Sequence, residues 1–232
     1  SAKTRRLTGA EALVRRIKPD GTIISPIDFI PVYEKSGLIS RLDRYIWEQA
    51  AAKLGEWKKA GINMSISVNI SPKDFYYIDI FNTFAGLIKK YDIEPSNLKI
   101  EITETTIMSD VPNLMGELEE LRKAGFTLEM DDFGSGYSSL NTLKDINVDV
   151  LKVDMGFIKE TKNVKKSRII LASVIKMAKE LNLLIITEGV ETEEQVDNLT
   201  KLGCDVFQGY YFSKAIDVNE FEKRYLYRKK AG

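Results

Sequence analysis

Leu128-Glu129-Met130-Asp131-Asp132-Phe133-Gly134-Ser135-Gly136-Tyr137-Ser138-Ser139-Leu140 begins as a strand and ends as a glycine-hinged loop, with two adjacent aspartates at the change. Side chains alternate across a strand. Asp131 therefore shares its face with Glu129, whereas Asp132 opens the loop, so the two aspartates are not equivalent. Outward from this stretch, apolar runs of strand length alternate with longer helical patterns. Strands are expected at residues 9–15, 64–70, 98–103, 126–131, 150–154, 183–188 and 205–208. Helices are expected from Ser25-Pro26 to Ser36-Gly37, over 40–60 with Gly61 as the stop, and over 111–124, 167–181, 193–202 and about 218–227. Serine before proline is a helix start, and glycine after an amphipathic run is a helix end. Residues 228–230 read as a solvated basic tail.

Strand–helix alternation predicts a parallel sheet with helices outside it. Seven strands fall one short of a closed (β/α)8 barrel. Either residues 3–6 contribute a strand, or an N-terminal strand lies outside this chain. Nothing in the pattern marks a linker, an internal repeat or a second domain, so residues 1–232 read as one domain.

Composition narrows the chemistry. The chain has 34 basic and 34 acidic residues, no histidine and one cysteine. A net charge of zero gives no field favouring a nucleic-acid polymer or a membrane surface. Without histidine, Ser-His and Cys-His triads and histidine-ligated zinc are excluded. A lone Cys204 forms no internal disulfide and fits a reducing cytoplasm. No apolar run approaches the roughly 20 residues of a membrane span, and no signal peptide is visible.

Several strands are apolar on one face only. Met64, Ile66, Val68 and Ile70 oppose Ser65, Ser67 and Asn69; Leu98, Ile100 and Ile102 oppose Lys99, Glu101 and Thr103; Leu151 and Val153 oppose Val150, Lys152 and Asp154. The apolar faces suit a helical shell, which leaves the polar faces toward the barrel axis. Converging carboxylates lose hydration at a cost of several kcal/mol per ion without a partner. A divalent cation resolves this, and all-oxygen donors select hard ions such as Mg²⁺ or Mn²⁺. Asn69, Asp131, Asp132 and Glu188 fall at C-terminal strand ends, where barrel sites lie. Taken singly, each is an ordinary strand-end residue; taken together, they point to a site.

The ordered set Glu11-Ala12-Leu13-Val14-Arg15, Val68-Asn69-Ile70-Ser71, Glu101-Ile102-Thr103-Glu104, Asp131 to Leu140, Lys152-Val153-Asp154, Glu188-Gly189-Val190-Glu191 and Gln208-Gly209-Tyr210 resembles the EAL family of bacterial cyclic di-GMP phosphodiesterases. The resemblance implies a modified TIM (β/α)8 barrel whose first, antiparallel strand is missing or truncated here. It implies that Glu11, Asn69, Glu101 and Asp131 ligate one metal, that Asp131 bridges to a second, and that Asp132 is the second ion's principal ligand. Glu188 would be the general base or position the attacking water. Lys152, supported by Asp154, would orient that water or stabilise phosphoryl charge. Arg15 would contact substrate phosphate, Glu104 would hold the loop at 132–139, and Glu191 and Gln208 would line or support the site. Two Mg²⁺ or Mn²⁺ ions, conversion of cyclic di-GMP to linear pGpG, a homodimer, a cytoplasmic location and an attached sensory or diguanylate-cyclase domain are implied as well.

The chain departs from the family pattern at Arg16, at Met155-Gly156 and at Glu129, which stands where a small residue is usual. If buried, Glu129 pairs with Lys152; otherwise it is a solvated residue near a strand end. Residues 162–166 read as a solvated charged loop or a dimer contact, and Trp47 and Trp57 as packing for a helix on the barrel. Two other functions fit fewer of these residues: a cyclic di-GMP receptor without activity, and an unrelated metal-dependent barrel enzyme.

Overall fold

The computed structural model describes residues 1–134, 139–156 and 164–227. They form two compact units, one of residues 9–130 and 139–148, the other of residues 1–8, 131–134, 149–156 and 164–227. All seven expected strands form. In the first unit these are β1 (Gly9–Glu11), β4 (Ser65–Asn69), β5 (Leu98–Thr103) and β6 (Leu128–Asp131), whose last residue belongs to the second unit. A hairpin of β2 (Arg16–Ile17) and β3 (Ile23–Ile24) follows β1; the sequence reading ran β1 on to residue 15, up to the start of that hairpin, and did not include the hairpin. In the second unit lie β7 (Val150–Asp154), β8 (Leu184–Glu188) and β9 (Val206–Phe207).

Pairing is parallel from β1 to β4, β4 to β5, β7 to β8 and β8 to β9. The register matches Glu11 with Ser67, Ser67 with Lys99, and Asn69 with Glu101. In the second unit it matches Asp154 with Glu188. Helices over Pro26–Ser36, Ile39–Lys59, Leu114–Lys123, Val164–Glu180 and Glu193–Leu202 confirm the periodic reading to within a few residues. The helix Ile80–Tyr91 was not singled out in the sequence. Asp79 caps it by accepting from Asn82 N at 3.0 Å, and Asp92 ends it in the left-handed region.

The first unit's core is apolar and aromatic. Leu98, Ile100 and Ile102 of β5 are fully buried, and the Trp47 ring packs at a 44° tilt, 4.9 Å between centroids, against Phe84 of helix Ile80–Tyr91. These faces meet the helices, so the odd-numbered residues of β4 and β5 point the other way. Residues 3–6 supply no strand: the segment begins in a turn, Ala2 N donates to Asp205 O, and Arg5 takes a φ of 55°.

Candidate active site

In the first unit, three of the expected residues meet at strand ends. The Asn69 amide donates from Nδ2 to Glu11 Oε1 at 3.4 Å and to Glu101 Oε2 at 3.2 Å. Glu101 is almost completely buried, and the amide sits between two carboxylates that would otherwise repel. The end of β4 is itself fixed: Trp47 Nε1, from the helix Ile39–Lys59, donates to the Asn69 carbonyl at 2.9 Å. The sequence assigned Trp47 to packing alone; its indole also holds the strand end that carries Asn69.

Glu104 opens the short helix Glu104–Ile107 and is buried. Thr103 caps that helix by accepting from Thr106 N. The loop that Glu104 is expected to hold includes residues 135–138, outside the described residues. Arg15 is exposed, with its guanidinium donating to Val14 O at 2.8 Å.

Glu129 is 1% exposed, so the solvated reading of it does not hold. Its cation is Lys99, whose Nζ lies 2.8 Å from Glu129 Oε1.

The second unit gathers another set. Lys152 on β7 is 1% exposed, and its ammonium lies 3.1 Å from Asp131 Oδ1 and 2.9 Å from Glu188 Oε1. Phe133 N donates to the Lys152 carbonyl, which ties the start of the loop to β7. Asp132 is exposed and left-handed, with a φ of 55°, while Asp131 remains in the strand; the two aspartates are therefore differently placed. Asp154 Oδ1 accepts from Gly156 N at 2.6 Å. Gly189, after Glu188, has a φ of 67°, and a Cβ there would stand 3.2 Å from Asp154 Oδ1. The turn after β8 thus packs directly on the aspartate beside Lys152. Gln208 N donates to Thr187 O, its carbonyl accepts from Val190 N, and Glu191 N donates to Gln195 Oε1. Glu191 is exposed, and its backbone joins the capping box of the next helix.

Two carboxylates and an amide oxygen are hard donors, so Glu11, Asn69 and Glu101 fit Mg²⁺ or Mn²⁺ by chemistry. Among the described residues, no three His, Cys, Asp or Glu side chains are grouped as an ion site. The Asn69 group has two carboxylates, and Asp131 is paired with Lys152.

The EAL domain family model matches residues 1–215. This chain belongs to the EAL domain family. It is 36% identical over 223 residues to the signaling protein YkoW of Bacillus subtilis, covering 96% of this chain and 28% of that protein. It is 34% identical over 215 residues to the bifunctional diguanylate cyclase/cyclic di-GMP phosphodiesterase MucR of Pseudomonas aeruginosa, covering 92% of this chain and 31% of MucR. The chain thus spans about a third or less of these relatives. The solved structure of the PaMucR phosphodiesterase in its c-di-GMP complex matches with a TM-score of 0.84 at 34% identity, over 91% of this chain and 86% of that one. The fold class is therefore that of the EAL domain, an α/β modified TIM barrel. Among the described residues, no helix is long and apolar enough to cross a membrane.

Proposed function

We propose that this EAL domain hydrolyses cyclic di-GMP to linear pGpG. The observation that carries the proposal is the grouping of Glu11, Asn69 and Glu101 at three strand ends, with the Asn69 amide drawn to both carboxylates. The names of its relatives support the substrate class.

The residues divide the work by their chemistry. Arg15 is exposed and carries the planar fork that suits a phosphate. Glu188 takes the proton of the attacking water, or orients it. Lys152, whose ammonium lies beside Glu188, orients that water or offers positive charge to the phosphoryl group as negative charge develops. Asp154 and Gly189 fix the backbone around that lysine and that base. Water adds to phosphorus, one P–O3′ bond breaks, and the released 3′ oxygen takes a proton. The resemblance supports Glu11, Asn69, Glu101, Asp131 and Asp132 as the residues that would hold Mg²⁺ or Mn²⁺. When bound, such cations supply Lewis-acid stabilisation of phosphoryl charge and ease the loss of a proton from water.

Glu188→Gln and Glu11→Ala should each abolish hydrolysis while the chain stays folded. Turnover that survives both substitutions refutes the assignment. Binding of cyclic di-GMP by the unaltered chain without any hydrolysis would make it a receptor instead.

The resemblance also supports a homodimer, a cytoplasmic location, a single domain over residues 1–232 and attached sensory or diguanylate-cyclase domains in the whole protein. The dimer contact expected at residues 162–166 lies partly outside the described residues. Sedimentation as a monomer at all practical concentrations refutes the dimer.

A further inference from the structure

Lys99 and Glu129 belong to no role that the family motifs supply, yet they are built into the same polar face as Glu11, Asn69 and Glu101. The register sets out two rows across that face. One row runs Glu11, Ser67, Lys99. The other runs Asn69, Glu101 and then Glu129, because Ile100 N donates to Thr127 O and so aligns β5 with β6 at 101 and 129. Neighbouring strands stand ~4.8 Å apart, so the long side chain of Lys99 has three carboxylates within its reach. Glu11 lies across the small Ser67, Glu101 lies two residues on in the same strand, and Glu129 lies diagonally on β6. Its Nζ takes Glu129, at 2.8 Å. Glu129 is 1% exposed, which makes this a buried carboxylate with a committed counter-ion and not a surface pair.

We propose that Glu129 is a positioning residue that holds the Lys99 ammonium away from Glu11 and Glu101, and that this ion pair sets how tightly those two carboxylates take a divalent cation. The inference rests on the proposed role of Glu11 and Glu101 as metal ligands. It gives the two members of the pair opposite effects. Without Glu129, Lys99 turns to Glu101 or Glu11 and competes with the cation. Without Lys99, Glu129 adds uncompensated negative charge beside Glu101 and draws the cation in. A merely structural pair would have the same sign for both losses.

The test is Mn²⁺ binding to the whole chain without nucleotide, followed by titration calorimetry and by loss of the free Mn²⁺ electron-spin signal. Glu129→Gln should weaken binding by about tenfold or more, the scale of one unit charge moved to about 5 Å from a divalent ion even at the dielectric of water. Lys99→Met should tighten it. The double substitution, which carries neither charge, should fold and return to within about threefold of the unaltered chain, by cancellation of the two charge effects. Lys99→Arg keeps the cation and should leave affinity unchanged. Weaker binding in both single variants, or no change in either, overturns the proposal. Should Glu129→Gln fail to fold, weaker binding by Lys99→Met decides against it alone; should neither single variant fold, loss of binding by the double variant does so. An unaltered chain that takes up no Mn²⁺ overturns the metal reading of the proposed function together with this inference.

Discussion

Replacing Lys152 with methionine removes a fully buried ammonium from between two carboxylates and keeps most of its volume. In the folded chain its Nζ stands 3.1 Å from Asp131 Oδ1 and 2.9 Å from Glu188 Oε1. At an effective dielectric of ~20, each contact is an attraction of about 5.5 kcal/mol before desolvation is subtracted. Removing one partner of a buried ion pair costs ~3–5 kcal/mol net. Protonation sets a ceiling on that loss, because the variant can relieve repulsion by neutralising one carboxylate. For an ordinary carboxyl this costs about 4 kcal/mol at pH 7 and about 1 kcal/mol at pH 5. Lys152→Met should therefore lose ~3–4 kcal/mol of stability at pH 7 but only about 1–2 kcal/mol at pH 5. Urea unfolding at both pH values measures this directly. Hydrolysis of cyclic di-GMP at pH 7 should fall about 10²-fold or more, the scale of one lost electrostatic contact to the reacting group. A stability loss equal at pH 5 and pH 7, or below ~1 kcal/mol at both, refutes the placement of Lys152 as the shared counter-ion.

Trp47→Phe keeps the aromatic packing but removes the donor to the Asn69 carbonyl, so it should cost about 1–2 kcal/mol in chemical denaturation; no loss would mean that the indole only packs. Burial and the adjacent Asp74 charge push the Asp43 carboxyl up to about 8. The folded chain then holds a proton that the unfolded chain has released, so stability should fall as pH rises from about 4 to about 8, by at most ~1.4 kcal/mol per unit for this group. Asp43→Asn should flatten that slope in a pH series of unfolding curves, and an unchanged slope contradicts the assignment. Gly209 has a φ of 155°, and a Cβ there would lie 2.2 Å from the Val190 carbonyl oxygen. Gly209→Ala should cost about 3 kcal/mol or more, because the close backbone contact between the segments that follow β8 and β9 must open; a melting temperature equal to that of the unaltered chain would refute this.

Much of the architecture was legible because strand and helix periods differ. Val150–Asp154 and Glu193–Leu202 were read to the residue, and the one-sided polarity of β4 and β5 placed Asn69 and Glu101 on a common face. The hairpin β2–β3 was missed because two residues per strand carry no period. The helix Ile80–Tyr91 was overlooked although Asp79 is a capping residue at its start. Two site features depend on partners distant in sequence. The burial of Glu129 was one of two open readings, and its pairing with Lys99, 30 positions away, needed the register of β5 and β6. The Trp47 contact to the Asn69 carbonyl crosses 22 positions and joins a side chain to a backbone atom, for which composition gives no signal.

The most direct test of the central claim is product analysis. The purified chain is incubated with cyclic di-GMP and either Mg²⁺ or Mn²⁺, and the nucleotides are separated and weighed by mass spectrometry. Linear pGpG should accumulate with at least one of the two ions, and it should vanish on addition of a chelator. Cyclic di-GMP that is bound yet recovered intact with both ions would contradict the account.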